Sequence, residues 1–262
     1  MELGLDNKRA FVTAASSGLG RQSALALADE GARVAVASRN SEALAQLVEE
    51  LIAIGSPDAM AVTLDLGDAQ SITQGVTAAA LRFGGLDIVV GNTGGPKSGR
   101  FLDISRLDWE RATDETLFSM VELSRAVVPH LQKSGSGRMI FITTVGVKIV
   151  QPDMVLSDSL RLAIIGLAKS LSHELAGDGV LVNCLCPGPI ATNRMEDLIT
   201  ASMEQKGIDR AAAESLWLDE VPLGHIGDAG DFATLVAFLA SERASFITGT
   251  AIAVDGGKSR AY

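Results

Sequence analysis

Short apolar segments alternate with longer segments of helical periodicity along nearly the whole chain, and this alternation constrains the fold more than any other feature. The first unit has a strand pattern over Arg9–Thr13, a helical pattern over 18–30 and a second strand pattern over Arg33–Ser38. Strands separated by helices of this length are typical of βαβ units, whose right-handed crossovers place helices on both faces of a parallel sheet. The sequence therefore predicts an α/β fold with a doubly wound parallel sheet.

The same alternation continues to the C-terminus without a repeat or a linker. Further strands are predicted at 60–65, 86–90, 138–143, 180–186 and 250–254, and helices at 41–54, 68–83, 108–133, 156–176 and 228–240. Ser41 is predicted to cap the second helix and Gly55 to end it. Residues 193–224 are more polar, helical in parts, and predicted to cover a substrate. We therefore predict one Rossmann-type domain over 1–262, flanked by helices on both faces of its sheet.

Composition and charge narrow the possible partners and location. The formal net charge is −10, from 22 basic and 32 acidic residues, which does not favour nucleic-acid binding because that needs clustered cations. No apolar run of about 18 residues predicts a membrane span, and the N-terminus lacks a signal-peptide pattern, so we expect a cytoplasmic protein.

Cys184 and Cys186 lie in an apolar run without a histidine cluster, which predicts buried free thiols and no metal site.

A glycine-containing turn, Thr13-Ala-Ala-Ser-Ser-Gly18-Leu-Gly20, joins the first predicted strand to the first predicted helix. Gly18 and Gly20 let the backbone approach a pyrophosphate closely, and the free N–H groups of a helix N-terminus favour an anion. Because this turn follows the first strand of a βαβ series, it predicts a dinucleotide-binding site.

Further motifs follow in order. The segment 91–94, Gly-Asn-Thr-Gly, follows the fourth predicted strand, and 187–192, Pro-Gly-Pro-Ile-Ala-Thr, follows the sixth. Together with the glycine-containing turn and a C-terminal pattern over 238–257, these motifs resemble those of the short-chain dehydrogenase/reductase family. The turn of that family has the pattern T-G-x-x-x-G-x-G, and this chain has Ala14 at its first glycine. The resemblance covers essentially the whole chain and is of the 3-oxoacyl-ACP reductase type.

The resemblance implies a set of cofactor-binding residues. They are Thr13, Ser16, Ser17, Gly18, Leu19, Gly20, Arg39, Asp65, Leu66, Asn92, Thr93, Gly94, Arg161, Pro187, Gly188 and Ile190. The second strand ends in Ala37-Ser38-Arg39-Asn40, without the acidic residue that would bind the ribose 2′-hydroxyl of NAD. Arg39 can instead pair with a 2′-phosphate, helped by Ser16, which predicts NADP(H); the alternative is a solvated surface arginine.

The residues that carry the family's chemistry are replaced in this chain. The resemblance places Thr144 at the serine position, Ser157 at the tyrosine, Arg161 at the lysine and Thr116, counted from Trp109, at the asparagine. Thr144 keeps a hydroxyl and Arg161 a positive charge. Ser157 is shorter than tyrosine and a much weaker acid, so the usual proton donor is missing.

Asp153, Asp158 and Lys148 lie near the same segment and are other candidate proton sources. Lys148, four residues after Thr144, is the stronger candidate, whereas Asp158 is expected to be an exposed or capping residue. The one tyrosine, Tyr262, is the last residue and would have to come from a neighbouring subunit.

Two functions stay open at this point. The first is an NADP(H)-dependent reductase of a carbonyl or an activated double bond, acting on a small lipophilic substrate with a proton from water or Lys148. The second is an inactive NADP(H)-binding regulatory or structural subunit. In both cases the resemblance implies a homo-oligomer, a dimer or a tetramer, formed through the helices near 108–133 and 156–176.

Overall fold

The computed structural model describes residues 2–261, and these form a seven-stranded, fully parallel sheet with nine α-helices. The strands are β1 Arg9–Thr13, β2 Arg33–Ser38, β3 Ala59–Thr63, β4 Ile88–Gly91, β5 Arg138–Ile142, β6 Leu181–Pro187 and β7 Ala251–Val254. The helices are α1 Gly18–Asp29, α2 Ser41–Ile54, α3 Ala69–Phe83, α4 Arg106–Ala112, α5 Ser119–Ser134, α6 Val155–Glu174, α7 Asn193–Lys206, α8 Arg210–Leu218 and α9 Ala229–Ala240. The predicted Rossmann-type architecture is confirmed.

Both faces of the sheet are buried because successive side chains along each strand enter different cores. Val12 packs in one core with Leu27 of α1 and Phe232 of α9. Phe11, its neighbour in β1, packs in the other core with Ile72 of α3. Apolar side chains on both faces of a strand are what a parallel sheet covered by two helical layers requires.

The strand order creates the crevice in which the site lies. The sheet runs β3-β2-β1-β4-β5-β6-β7, so the chain moves outward from β1 to β3 and then returns to place β4 beside β1. The loops after β1 and β4 therefore depart in opposite directions at the carboxyl edge of the sheet. Ligands of open α/β sheets bind at such a switch point.

Several predicted boundaries differ from the structure. Asn40 rather than Ser41 caps α2, because the Asn40 side chain accepts from the Ala43 N–H. The helices predicted over roughly 108–133 are α4, which begins at Arg106, and α5, and a π-helical turn at Thr113–Phe118 joins them. The polar region after Thr192 forms α7 and α8. Cys184 and Cys186 are free and buried, as predicted.

Within residues 2–261, no helix combines the length and the apolar character that crossing a membrane would require.

Candidate active site

A cleft of about 650 Å³ lies at the carboxyl edge of the sheet and brings most of the predicted residues together. Its lining includes Ser16, Ser17, Gly18, Leu19, Arg39, Asp65, Leu66, Asn92, Thr93, Gly94, Thr116, Thr144, Ser157, Arg161, Pro187, Gly188 and Ile190. Of the residues predicted for the site, Thr13 and Gly20 do not line the cleft.

Gly20 allows the start of α1 to pack closely against the end of β1. A Cβ at this position would lie 2.5 Å from the carbonyl oxygen of Ala14 and 3.0 Å from Nδ2 of Asn92, so only glycine lets α1 start this close to β1. Gly18 has a φ of 57°, a conformation that favours glycine. Ala14 also has a positive φ, 47°, so the residue at the family's first glycine position keeps the turn's left-handed conformation at some strain.

The N-terminus of α1 is open to an anion. Its N-cap, Ser17, makes no side-chain capping hydrogen bond, whereas the caps of α2, α3, α7, α8 and α9 all do. Free N–H groups and the helix dipole make such an end a phosphate-binding site. The turn therefore fits the pyrophosphate of a dinucleotide.

Thr13 fixes the switch point rather than contacting a ligand. It is fully buried, and its Oγ1 donates to the Asn92 carbonyl at 2.7 Å and accepts from the Asn92 N–H at 2.8 Å. This reciprocal pair joins the ends of β1 and β4, so the turn and the Asn92-Thr93-Gly94 loop keep a fixed separation.

The far end of the cleft matches an adenosine. Arg39 is exposed at the end of β2, and Asp65 and Leu66 follow β3 beside it. Asp65 Oδ1 accepts from the Gly67 N–H at 2.9 Å, which shapes the loop and leaves its second oxygen available.

Thr144 presents a hydrogen-bond donor to the cleft. Its Oγ1 accepts from the Gly146 N–H at 3.2 Å and from Nε2 of Gln151 at 3.3 Å. Because both bonds are accepted by the oxygen, the hydroxyl hydrogen is available for a ligand. Gln151 lines the cleft and was missed by the sequence analysis, since its loop carries no motif.

Asp158 holds Gln151 from behind. Its Oδ2 accepts from the Gln151 N–H at 3.1 Å, while Oδ1 is buried without a partner among residues 2–261. Burial raises the pKa of the Asp158 carboxyl, and the Gln151 hydrogen bond only partly opposes this. The prediction that Asp158 is an exposed or capping residue is therefore wrong, because the residue is half-buried and Met154 is the N-cap of α6. Asp158 is not among the residues that line the cleft.

Arg161 is a buried cation that joins three segments of the site. It is 5% exposed, and its Nη1 donates to the Ile142 carbonyl at 2.9 Å. Its Nη2 donates to Thr93 Oγ1 and to the Gly94 carbonyl, each at 3.1 Å. Burial, with a smaller contribution from nearby Arg194, lowers the pKa of Arg161 to about 10, so it stays charged at neutral pH.

Ser157 and Thr116 are the remaining residues predicted at the family's catalytic positions. Both line the cleft, and Thr116 lies buried in the π-helical turn between α4 and α5. Turns of this kind are frequent at functional sites. Thr116, predicted at the family's asparagine position, thus lies in the cleft.

The titratable side chains that line the cleft, taken over residues 2–261, are two carboxylates and four arginines, with no tyrosine, lysine or histidine. Glu115 already accepts from Arg111 Nε at 2.8 Å, and Asp65 lies at the adenosine end. Lys148 is not among the lining residues, and Asp153 is exposed. Tyr262 lies outside the described residues, so its participation stays a prediction.

The segment over 193–224 forms one wall of the cleft. Met195, Leu198 and Trp217 line it, whereas Ile199 and Met203 pack inside the segment. The apolar residues of this segment thus divide between lining the cleft and packing within the segment.

Comparisons with known proteins agree with this architecture. A family model described as enoyl-(acyl carrier protein) reductase matches residues 13–259. The chain is 32% identical over 250 residues to 3-oxoacyl-[acyl-carrier-protein] reductase FabG of Staphylococcus aureus, covering 95% of this chain and 97% of the relative.

Solved structures extend the likeness to the whole fold. YwfH, an NADPH-dependent reductase involved in bacilysin biosynthesis, is 28% identical with a TM-score of 0.92, covering 98% of this chain and 100% of that one. L-sorbose reductase from Gluconobacter frateurii, solved with NADPH and L-sorbose, is 26% identical with a TM-score of 0.93 and full coverage of both chains. The glycine turn, the ordered motifs and these matches lead to one conclusion: the chain belongs to the short-chain dehydrogenase/reductase family.

Proposed function

We propose that this protein is an NADP(H)-dependent oxidoreductase that reduces a carbonyl or an activated double bond without a tyrosine acid. The observation that carries the proposal is the Thr144 hydroxyl. Two hydrogen bonds orient it as a donor in the cleft that also contains the uncapped N-terminus of α1. A phosphate-binding turn and an oriented polarising group thus share one cavity.

The residues present fit a dinucleotide. The turn and α1 would hold its pyrophosphate, Asp65 and Leu66 its adenine, and the 187–190 segment its nicotinamide end. When bound, NADPH supplies a hydride to the electrophilic carbon of the substrate and is left as NADP⁺. Arg161 fixes the loop after β4 against β5 and places a permanent positive charge beside the reacting groups.

The reduced substrate needs one proton to complete the reaction. Thr144 donates a hydrogen bond to the oxygen on which negative charge develops, and such preorganised donors stabilise the transition state. Because the cleft lining over residues 2–261 holds no tyrosine, lysine or histidine, we infer that the proton comes from water. Substrates that need little acid assistance suit this arrangement, such as activated ketones and conjugated double bonds.

NADPH is proposed over NADH because of Arg39. Its side chain lines the cleft at the end of β2, where an acidic residue would favour NADH. Asn40, the next residue, is occupied in capping α2. Arg39 thus supplies the charge that a 2′-phosphate requires.

One observation favours a second candidate, an inactive NADP(H)-binding regulatory or structural subunit. Over residues 2–261 the cleft lining holds no tyrosine, lysine or histidine, and a protein that only binds the cofactor would show the same lining. Cofactor binding and turnover are separate properties of a fold.

Turnover separates the two candidates. Purified protein with NADPH is mixed with a panel of ketones, quinones, imines and 3-oxoacyl thioesters, and loss of NADPH absorbance is followed. For a reductase, Thr144→Val lowers kcat by about 100-fold while the Kd for NADPH stays unchanged. Thr77→Val, on α3 and away from the cleft, is the matched control. NADPH binding without turnover on any class supports the binding subunit, and no NADPH binding rejects both candidates.

Assembly into a homo-oligomer is part of the proposal. Phe101 and Leu102 are 67% and 91% exposed, and Leu107 of α4 is 73% exposed, which leaves an apolar surface around α4. Exposed apolar patches of this kind mark interfaces. Sedimentation of the wild type and of Leu107→Glu should show a multimer that the substitution weakens; a wild-type monomer at micromolar concentration would reject the assembly.

A further inference from the structure

The cleft carries a positive charge that the rest of the protein does not share. The chain has a net charge of −10, yet four arginines and two carboxylates line the cleft within residues 2–261. Arg111 is neutralised by Glu115, and Arg39 lies at the adenosine end beside Asp65. The other two are Arg161, which donates to the carbonyl of Thr143 next to Thr144, and Arg194, which lies near Arg161.

Neither of these two arginines has an acidic partner within 4.0 Å among residues 2–261. The groups that contact Arg161 are neutral oxygens: two backbone carbonyls from β5 and its end, another from the loop after β4, and one hydroxyl. Buried charges are normally paired, and a cation left with neutral partners keeps a strong field in a low-dielectric site.

Arg194, an exposed residue, adds a second cation to the cleft lining near Arg161. It lies in the first turn of α7, its Nη2 donates to the Pro96 carbonyl at 3.3 Å, and a Cβ on Gly95 would lie 2.9 Å from its Nε. It is close enough to Arg161 to contribute to lowering that residue's pKa. Two like charges that face each other across a cleft are stabilised by an anion between them.

The surroundings describe the rest of the ligand. Met154, Met195 and Leu198 give this end of the cleft an apolar lining. Trp217 lines it too, and its buried indole Nε1 has no acceptor among residues 2–261. The cleft therefore combines two cations with apolar side chains.

We propose that the substrate is an amphipathic carboxylate, with Arg194 as the residue that binds its carboxylate and Arg161 as the buried charge that attracts it. This deepens the proposed function and rests on it for the identity of the reaction. An oxo acid fits best, because its carbonyl can lie at Thr144 while its carboxylate reaches Arg194. The proposal thus adds a carboxylate to the lipophilic substrate that the sequence predicts.

Binding of an acid and of its matched ester tests the proposal. Calorimetry is done with benzoylformate and methyl benzoylformate, which differ in charge but share the ketone and the ring, on free and on NADPH-loaded protein. We expect the acid to bind about tenfold more tightly than the ester. The preference should decrease as NaCl is raised, because salt screens the interaction.

Variants assign the preference to Arg194. Arg194→Gln should remove the acid preference while the Kd for NADPH and for the ester stay within about threefold of wild type. Arg194→Lys should keep part of the preference. Lys206→Gln removes a charge from the far end of the same helix, outside the cleft lining, and should behave as wild type.

Each failure has a distinct signature. Equal binding of acid and ester by the wild type overturns the proposal, as does an unchanged preference in Arg194→Gln. A Kd for NADPH that rises in Arg194→Gln as much as that for the acid shows that Arg194 serves a cofactor phosphate instead. If the wild type does not bind NADPH, the proposed function fails, and the acid-to-ester ratio on free protein still decides the carboxylate site.

Discussion

The turn between β1 and α1 and the segment from Thr144 to Arg161 form two walls of one cleft, but they differ in what makes them work. In the turn, the contribution comes from backbone: a left-handed Gly18, a Gly20 pressed against the Ala14 carbonyl and an uncapped helix end. In the second segment, it comes from the side chains of Thr144, Ser157 and Arg161, which the resemblance places at the family's catalytic positions. We call the turn the backbone wall and the segment from Thr144 to Arg161 the side-chain wall: the backbone wall leaves no room for a larger residue at Gly20, whereas the side-chain wall depends on which side chains it carries.

This difference explains how chemistry can change while the fold persists. Gly20 cannot be enlarged without moving a strand or a helix, because an added Cβ would lie 2.5 Å from the Ala14 carbonyl oxygen. Arg161, predicted at the family's lysine position, donates to backbone carbonyls at the end of β5 and after β4. Those carbonyls belong to the backbone and are present whichever side chain stands at this position. Replacing a catalytic side chain therefore costs function before it costs structure.

The largest expected effect comes from breaking the backbone wall. Gly20→Ala places a methyl group against the Ala14 carbonyl and Asn92, so we expect NADPH affinity to fall about 100-fold. Fluorescence titration with NADPH measures it. Gly166→Ala, a helical glycine of α6 whose added Cβ would meet nothing within 4 Å, is the control and should stabilise the protein by about 0.5–1 kcal/mol. Unchanged NADPH binding in Gly20→Ala would show that the turn is not the phosphate site.

Restoring the side-chain wall comes next. Ser157→Tyr combined with Arg161→Lys returns the family's acid and its lysine to a cleft that already holds Thr144. Because a positioned acid contributes about 10²–10⁴-fold and this site is only partly rebuilt, we expect kcat for an unactivated ketone to rise about 30-fold. Ser157→Phe with Arg161→Lys has the same ring without the hydroxyl and should show no gain. Equal rates for the two double variants would contradict the assignment of Ser157 to the acid position.

A smaller effect on cofactor binding is expected from Arg39, at the end of the cleft proposed to hold the adenosine. Arg39→Gln removes the charge proposed to pair with the 2′-phosphate, so the Kd for NADPH should rise about tenfold while that for NADH stays unchanged. Arg106→Gln, an arginine of α4 that is 91% exposed and paired with Glu110, is the control. Tighter binding of NADH than of NADPH by the wild type would reject the NADP(H) assignment.

The smallest expected effect concerns the support behind the side-chain wall. Because burial raises the pKa of Asp158, its contribution to folding stability is greatest in acid and is lost as pH rises through that pKa. Asn at this position keeps an acceptor for the Gln151 N–H and cannot ionise. We expect the Tm of Asp158→Asn to exceed that of the wild type by about 2 °C at pH 8, with a smaller difference at pH 4. A difference independent of pH would show that Asp158 is not the titrating group.

Much of this molecule follows from the sequence alone. The alternation of apolar and helical segments determined the parallel sheet, and the motif order determined the family, because both depend on local periodicity and on glycine positions that the backbone requires. The assignment of Ser157 to the family's tyrosine position and of Arg161 to its lysine position stays a prediction from the sequence, and the structure adds that both residues line the cleft. Boundaries such as the Asn40 cap differed by a residue because neighbouring polar residues compete for the same N–H groups.

Only the tertiary structure decided which groups meet. Gln151 and Arg194 lie in a loop and at the start of a helix with no motif, and their roles arise from contacts with Thr144 and with the loop at Gly95 and Pro96, far away in sequence. The same holds for Lys148, which is near Thr144 in sequence but outside the cleft lining. Sequence determines periodicity and backbone freedom, whereas the pairing of donors, acceptors and charges depends on distances that exist only after β1, β4, β5 and β6 are brought side by side.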